Sequence, residues 1–224
     1  MKAYSIFKRM IDIIIALFWL IIFMPLFLII TILIKFSSRG PVIYKHKRVG
    51  KSLKPFTIYK FRTMVDGARE LQEKGVPTDK LITTVGKFLR KSFLDETLQL
   101  INLLKGDISL VGPRPKDVEA FEKLVKRDER WNEVISIKPG ITSLESVADY
   151  MSLKKRKDFE KHFKGLLKED KSIKFREHTL MLDLYYIKNK SFFFDLKIIF
   201  FTLFLMLKRI FFKEKSEWKE KMNS

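Results

Sequence analysis

The sequence predicts an α+β, mostly helical fold: a small cytoplasmic domain with an N-terminal re-entrant membrane helix, a short β-hairpin and interfacial amphipathic helices. One long apolar block lies near the N-terminus, one stretch alternates with period two, and most of the remaining chain of 224 residues has helical spacing. We expect residues 1–40 to form the membrane helix and its basic flanks. Residues 41–190 should form the cytoplasmic domain, and residues 191–224 an interfacial helix with a basic tail.

The composition excludes several classes of protein. Hydrophobic residues make up 46% and charged residues 32% of the chain, which excludes a disordered protein and a membrane protein with many spans. The chain has no cysteine, so it forms no disulfide, zinc-thiolate site or cysteine nucleophile, and its three histidines are scattered. The formal net charge of +19 indicates an anionic partner, which can be nucleic acid, lipid headgroups or a phosphate-bearing substrate.

Residues 11–34 form the apolar block, interrupted by Asp12, Pro25 and Thr31. A straight helix of that length is about 36 Å long, whereas the hydrocarbon core of a bilayer is about 30 Å thick. Pro25 lacks an N–H and clashes with the carbonyl of Ile21, so it kinks or breaks the helix. Both flanks are basic, and short basic flanks prefer the cytoplasm. This favours a re-entrant helix with both ends cytoplasmic; a kinked spanning helix and a signal peptide are the alternatives.

The elements after this block follow from periodicity and turn residues. Residues 41–64 predict a β-hairpin, because positions 56–61 alternate and residues 50–52 supply a turn. The spacing further predicts a loop or short helix over 66–83, a helix over 85–105, a loop over 106–115, a helix over 116–131, a turn at 139–140 and mostly helix over 152–190.

The C-terminal apolar run, residues 198–207, is too short to span a membrane. Lysines flank it on both sides, and phenylalanines are frequent within and before it. We therefore expect a helix that lies in the membrane interface. A helix packed on the core of the protein is the alternative.

The first stretch that could carry chemistry surrounds Asp95 and Glu96, which open an apolar-periodic helix directly after Arg90 and Lys91. Carboxylates can bind Mg²⁺ while an arginine binds phosphate oxygens. The alternative is a helix cap, because Ser92 followed by an acid three residues later resembles a capping box.

The second stretch is the loop of residues 111–115, with the sequence VGPRP. Pro113 and Pro115 fix the backbone on either side of Arg114, and Gly112 leaves room for close approach. A guanidinium held in this way suits bidentate recognition of phosphate. A rigid connector between two helices is the alternative.

In order along the chain, these features resemble one family. After the interrupted apolar helix come YKFRTM (59–64), SFLDETLQLINLLKGDISLVGPRP (92–115), KPGIT (138–142) and LDLYYIKNKSFFFDLKIIFFT (182–202). Over nearly its whole length the chain resembles the bacterial sugar transferases, the monotopic phosphoglycosyl transferases that act on polyprenyl phosphates.

The resemblance implies that residues 41–190 are catalytic and transfer a sugar-1-phosphate from a nucleotide sugar, usually a UDP-sugar, to a polyprenyl phosphate, with Mg²⁺ as cofactor. Asp95 would be the nucleophile that forms a covalent phosphoglycosyl-aspartate and releases UMP, with Glu96 beside it. Pro25 would break the membrane helix, and Asp183 would be a further carboxylate or metal ligand near the site. The resemblance implies phosphate or nucleotide binding for Lys60, Arg62, Arg90, Gly112, Pro113, Arg114 and Pro115.

The location implied is the cytoplasmic face of the bacterial inner membrane, on anionic inner-leaflet lipid and without a nucleic-acid partner; a homodimer is left open. Two features depart from the family. Met24 stands where many relatives have serine before the proline, and the segment after Thr142 reads SLESVAD, which we expect to help set sugar choice. The alternative function is a membrane-tethered basic protein that binds nucleic acid or lipid, although a nucleic-acid fold signature is lacking.

Overall fold

The computed structural model describes residues 2–150 and 175–211. In this part of the chain, helices predominate over four short strands. The strands are β1 (Ile43–Val49), β2 (Pro55–Phe61), β3 (Ser109–Val111) and β4 (Gly140–Thr142). The helices are α1 (Lys2–Ser37), α2 (Ala68–Glu73), α3 (Thr78–Leu81), α4 (Thr84–Ser92), α5 (Gln99–Lys105), α6 (Val118–Arg127), α7 (Trp131–Val134), α8 (Leu144–Tyr150), α9 (Phe175–Asn189) and α10 (Phe192–Phe211), with 3₁₀ turns at Lys51–Leu53 and Leu94–Glu96.

Helix α1 is long and apolar enough to cross a membrane, and Pro25 lies inside it without ending it. One face of the helix contacts the rest of the protein along its whole length. Lys8 hydrogen-bonds near the N-terminal end, Ala16 is buried at the middle, and Ile30 and Ile34 are buried near the C-terminal end. Both ends of α1 therefore lie against the same folded unit, while the other face exposes large apolar side chains.

The predicted β-hairpin is confirmed. Strands β1 and β2 pair antiparallel, with Tyr44 opposite Lys60 and Val49 opposite Pro55, and a 3₁₀ turn joins them. Residues 66–83 form the short helices α2 and α3, as the sequence allowed. The helix predicted over 85–105 is wrong in one respect, because it is divided into α4, a single 3₁₀ turn and α5.

Two short strands were missed. The predicted loop over 106–115 contains β3, and the predicted turn at 139–140 is the start of β4, with which β3 pairs in parallel. Gly112 makes this pairing possible, because a Cβ there would lie 2.6 Å from the carbonyl oxygen of Lys138. The close approach expected at Gly112 is therefore an approach of the protein's own backbone.

Helix α10 packs on the core along one face. Ile198 is fully buried in a cluster with Val111, Leu144 and Val147, whereas Phe200 and other large apolar side chains on the opposite face are exposed. Packing on the core, which was the alternative, is thus present, and insertion of the outer face into a membrane interface stays a prediction. Of the region 152–190, the structure describes α9, and residues 151–174 lie outside the described residues.

A buried polar cluster joins α1, α9, α10 and β3; we call it the anchor cluster. Asp195 on α10 pairs with Lys8 and accepts hydrogen bonds from the hydroxyls of Tyr4 and Tyr186, each 2.7 Å long. Lys8 also donates to Tyr186 Oη and to the carbonyl of Val111, at 3.0 and 2.9 Å. The charges in this cluster are therefore fully partnered.

Candidate active site

The short segment between α4 and α5 positions the two predicted catalytic acids. Helix α4 ends at Ser92, and Phe93 adopts a left-handed conformation with a φ of 59°, so the chain turns sharply into the 3₁₀ turn that carries Asp95 and Glu96. A residue with a side chain adopts this conformation rarely, and such backbone strain is concentrated at functional sites.

The capping alternative for these acids is wrong. The hydroxyl of Ser92 donates backwards to the carbonyls of Phe88 and Leu89, at 2.9 and 3.2 Å. No side chain caps the following 3₁₀ turn or α5. Ser92 therefore does not cap the turn whose first residues include Asp95 and Glu96.

Glu96 forms an ion pair with Lys60 on β2, in which Nζ donates to Oε1 at 2.6 Å. Burial alone raises the pKa of Glu96, but the charge and hydrogen bond of Lys60, with help from Arg114 and Gln99, reverse this and hold the pKa below its usual value. Glu96 is thus ionised at neutral pH.

Asp95 is held in a different electrostatic state. Burial and the negative charge of Glu96 raise the pKa of Asp95 to about 6, although Lys60 and Arg90 pull in the opposite direction. Burial also lowers the pKa of Arg90, whose Nε donates to Thr63 Oγ1 at 2.9 Å. Asp95 is therefore a half-buried carboxylate that is ionised at neutral pH but only partly compensated by its cations.

Arg114 reaches the same region from the loop after β3, because its charge acts on Glu96. Its Nη1 donates to Ser146 Oγ on α8 at 3.3 Å. The carbonyls of the two prolines hold the loop in place: that of Pro113 accepts from the N–H of Gly140 at 2.9 Å, and that of Pro115 from Arg48 at 3.4 Å.

The structure does not support the phosphate-binding role predicted for Arg62. Its guanidinium is buried and donates to the carbonyls of Arg39 and Ser38, at 2.6 and 2.8 Å, and to Ser38 Oγ at 3.0 Å. Arg62 therefore fastens the chain that leaves α1 to the end of β2. Its charge suggested a ligand site, and its burial shows a structural one.

Asp183 does not join the two acids. It is 1% exposed on α9, neither carboxylate oxygen has a hydrogen-bond partner among the described residues, and the charged groups that act on it include Lys116 and Glu145. Burial raises its pKa to about 8. Among the residues that the structure describes, no group of three histidine, cysteine or acidic side chains could hold a metal.

Asp95 and Glu96 remain as oxygen donors for the predicted Mg²⁺. Mg²⁺ is commonly bound by one or two carboxylates together with substrate phosphates, and not by a complete protein cage. Two adjacent carboxylates fit that mode of binding, since Glu96 is paired with Lys60 and the charge of Asp95 is only partly compensated by nearby cations.

Polar residues of the site, among them Thr63 and Ser146, were missed by sequence reasoning. Thr63 binds Arg90, and it could have been suspected because it directly follows the basic end of β2. Ser146 binds Arg114, but its place in a segment that departs from the family offered no signal.

The profile of a family described as bacterial sugar transferase matches residues 3–209. The chain is 36% identical over 202 residues to a UDP-glucose:undecaprenyl-phosphate glucose-1-phosphate transferase of Klebsiella pneumoniae, covering 89% of this chain and 40% of that protein. It is 36% identical over 205 residues to a UDP-N-acetylgalactosamine-undecaprenyl-phosphate N-acetylgalactosaminephosphotransferase of Aeromonas hydrophila, covering 89% and 43%.

A shorter relative is the exopolysaccharide production protein ExoY of Rhizobium meliloti, 33% identical over 212 residues, which cover 88% of this chain and 83% of that protein. The chain thus spans less than half the length of the Klebsiella and Aeromonas relatives and most of the length of ExoY. Since the family profile covers nearly all of the chain, the protein belongs to the bacterial sugar transferase family.

Proposed function

We propose that the protein transfers a sugar-1-phosphate from a UDP-sugar to undecaprenyl phosphate, with Asp95 as the nucleophile. The observation that carries the proposal is a half-buried carboxylate whose pKa is raised to about 6 and which lies among the charges of Lys60, Arg90 and Glu96. The names of the Klebsiella and Aeromonas relatives describe reactions of UDP-sugars with undecaprenyl phosphate, which supports this substrate class.

In the first step, a carboxylate oxygen of Asp95 attacks the phosphorus that bears the sugar. A new P–O bond forms to Asp95, the bond from that phosphorus to the phosphate oxygen of UMP breaks, and UMP leaves with the electron pair. Covalent catalysis of this kind divides one difficult transfer into two easier steps. Lys60, Arg90 and Arg114 supply the positive charge that stabilises the anionic transition state.

In the second step, a phosphate oxygen of undecaprenyl phosphate attacks the same phosphorus. The P–O bond to Asp95 breaks, the carboxylate is restored, and the product is undecaprenyl diphosphate-linked sugar. The attacking oxygen is already anionic at neutral pH, so the step needs no general base. This agrees with a Glu96 that is ionised and held by Lys60, and we assign Glu96 an electrostatic role rather than proton transfer.

Asp95 and Glu96 would hold Mg²⁺ together with substrate phosphate oxygens, and the ion would supply additional neutralisation of the diphosphate charge. Asp183 does not face these acids, so Asp183→Asn should leave the Mg²⁺ concentration for half-maximal turnover unchanged. A shift in that concentration would return Asp183 to the metal site.

We further propose that α1 is re-entrant, with the folded domain on the cytoplasmic face of the inner membrane. Both ends of α1 contact the same domain, which supports a helix that returns to its starting side. The chain has no cysteine, so single cysteines at residues 5 and 37 can be labelled in intact cells without a background. Neither should react with an impermeant maleimide, and labelling of one of them would show a spanning helix.

The test of the reaction uses the full chain in neutral detergent with undecaprenyl phosphate, Mg²⁺ and a panel of UDP-sugars, scored by UMP release. Without acceptor, peptide mass spectrometry should find the sugar-phosphate adduct on Asp95. Asp95→Asn should remove adduct and turnover, whereas Asp79→Asn, at an exposed position of helix α3, should keep both. Undiminished UMP release by Asp95→Asn would refute the assignment of the nucleophile.

A further inference from the structure

The loop that carries Arg114 runs beside the start of α8, and the pairing of β3 with β4 brings them together. The N–H of Gly112 donates to the carbonyl of Thr142 at 3.0 Å, so the chain segments that leave the two strands start side by side. Arg114 lies two residues after this pairing on one side, and Ser143 and Ser146 follow it on the other. Strand register, and not sequence proximity, therefore places these residues together.

The hydroxyls of Ser143 and Ser146 form a small buried network. The two oxygens are 2.9 Å apart, and the N–H of Ser146 donates to Ser143 Oγ at 2.9 Å. The two serines are 2% and 5% exposed. Ser146 Oγ also accepts the hydrogen bond from Nη1 of Arg114, whose own side chain lies in an exposed position.

The neighbouring cation of the loop is used differently. Lys116 donates to Glu145 Oε2 at 2.6 Å and lies 5.6 Å from the centre of the Trp131 ring, with most of the ion pair buried. The charge of Lys116 is thus neutralised within the protein. The charge of Arg114 acts on Glu96 at the candidate site, and the hydroxyl of Ser146 on α8 accepts a hydrogen bond from its Nη1.

The hydroxyl of Ser146 is a neutral hydrogen-bond partner of Arg114. A hydroxyl accepts a hydrogen bond from the guanidinium without placing a negative charge beside it, whereas a carboxylate at position 146 would add one. An exposed arginine has many rotamers, and a partner anchored in a buried network reduces the entropy lost when the arginine binds a ligand.

We propose that Ser143 and Ser146 are positioning residues, which hold the guanidinium of Arg114 toward Glu96 so that it meets the diphosphate of the donor. This inference rests on the proposed function. It also gives a role to part of the segment after Thr142 in which the chain departs from its family.

The test compares Ser146→Ala with Ser146→Thr, which keeps a hydroxyl, in the full chain. Ser146→Ala should raise the KM for the UDP-sugar about fivefold with a smaller change in kcat, as expected for one hydrogen bond to a charged group at an exposed site. Ser146→Thr should restore most of the affinity. Ser109→Ala, which removes a buried hydroxyl bonded to Asp12, is the matched control and should lower Tm without changing KM.

A double-variant cycle separates positioning from mere stability. In an Arg114→Ala background, Ser146→Ala should have no further effect on KM, because the guanidinium to be positioned is gone. An unchanged KM in the single variant, or an equal effect in both backgrounds, would overturn the proposal.

Failure of the proposed function remains distinguishable from failure of this inference. If the wild-type chain releases UMP from no UDP-sugar, calorimetric binding of UMP and UDP replaces KM in the same cycle. Loss of affinity in Ser146→Ala that disappears without Arg114 would still support positioning, and the absence of such coupling would contradict it.

Discussion

Two clusters of charge in this protein contrast with each other. In the anchor cluster, Asp195 is paired with Lys8 and accepts hydrogen bonds from Tyr4 and Tyr186. At the candidate active site, Asp95 is half-buried beside a second carboxylate, with its pKa raised to about 6 and its cations shared with Glu96. One cluster satisfies its buried acid, and the other leaves an acid undercompensated.

This difference separates a structural site from a chemical one. A buried ion pair with all its hydrogen bonds made holds the elements that carry it in place, because removal of either partner leaves an uncompensated buried charge. An acid kept reactive by burial and by a like charge reduces stability while it is ionised, and such acids are concentrated at functional sites. We therefore expect substitutions in the two clusters to move activity and stability in different directions.

The largest expected effect is that of Asp95→Asn on activity. Without the carboxylate no covalent intermediate can form, so turnover should fall by at least about 10³-fold. Because the folded-state pKa of Asp95 lies above its unfolded value of 3.8, its ionisation removes stability as pH rises through about 6. At pH 8 the variant should therefore be more stable, by about 1 kcal/mol, in thermal denaturation. Lower stability would contradict the contrast between the clusters.

The converse expectation applies to Lys8→Met in the anchor cluster. The change leaves the buried carboxylate of Asp195 without its cation and should cost about 3–5 kcal/mol of stability. Turnover per folded molecule should remain close to that of the unaltered protein. The double variant Lys8→Met/Asp195→Leu should recover part of the stability in urea denaturation; no recovery would mean that packing, and not charge, dominates the cluster.

An intermediate effect is expected for Lys60→Met, which sharpens the account of the active site. Lys60 lowers the pKa of Asp95 and pairs with Glu96, so its removal should raise the pKa of Asp95 above about 6. The rate of adduct formation rises as Asp95 ionises. The acid limb of the pH–rate profile for adduct formation should therefore move to higher pH in the variant. At pH 6 we expect about tenfold slower adduct formation, with partial recovery at pH 8. Lys60→Arg should keep the original profile, and an unmoved acid limb in Lys60→Met would exclude this role.

The smallest effect should come from Arg62→Lys. A lysine cannot reproduce the hydrogen bonds of the guanidinium to Ser38 and Arg39, so stability should fall by about 1–2 kcal/mol. The KM for the UDP-sugar should stay unchanged, because the guanidinium is used by the protein itself. A marked rise in KM would instead support the phosphate role that the sequence suggested.

Much of the fold was predictable because its periodicity is strong. Positions 56–61 alternate within the second strand of the hairpin, a turn precedes them, and α1 and α10 are long and apolar. The division at Phe93 was not predictable, since neither glycine nor proline marks it. Strands β3 and β4 have three residues each, too few for a period-two pattern to stand out.

The candidate site was likewise predictable only in part. The acids and Arg90 could be grouped from local sequence, because they are neighbours along the chain, but the catalytic role predicted for the acids came from the resemblance to the family. The different uses of Lys60 and Arg62 could not be foreseen, since both are cations at the C-terminal end of β2. Only their partners distinguish them: Lys60 pairs with Glu96 at the candidate site, and Arg62 binds backbone carbonyls. Ser146 reaches Arg114 through strand register, which local patterns do not contain.

The stripe of buried residues on α1 has a consequence for how this protein can be divided. Ile30 and Ile34 pack with Phe61, Leu89 and Leu98, and Leu94 in the 3₁₀ turn that carries Asp95 and Glu96 packs against the same cluster. A truncated version that begins after residue 40 should not be a smaller, water-soluble enzyme. It would lose Ile30 and Ile34 from the apolar cluster against which the turn carrying Asp95 packs. We therefore expect the packing of α1 on the domain and the assembly of the candidate active site to depend on each other.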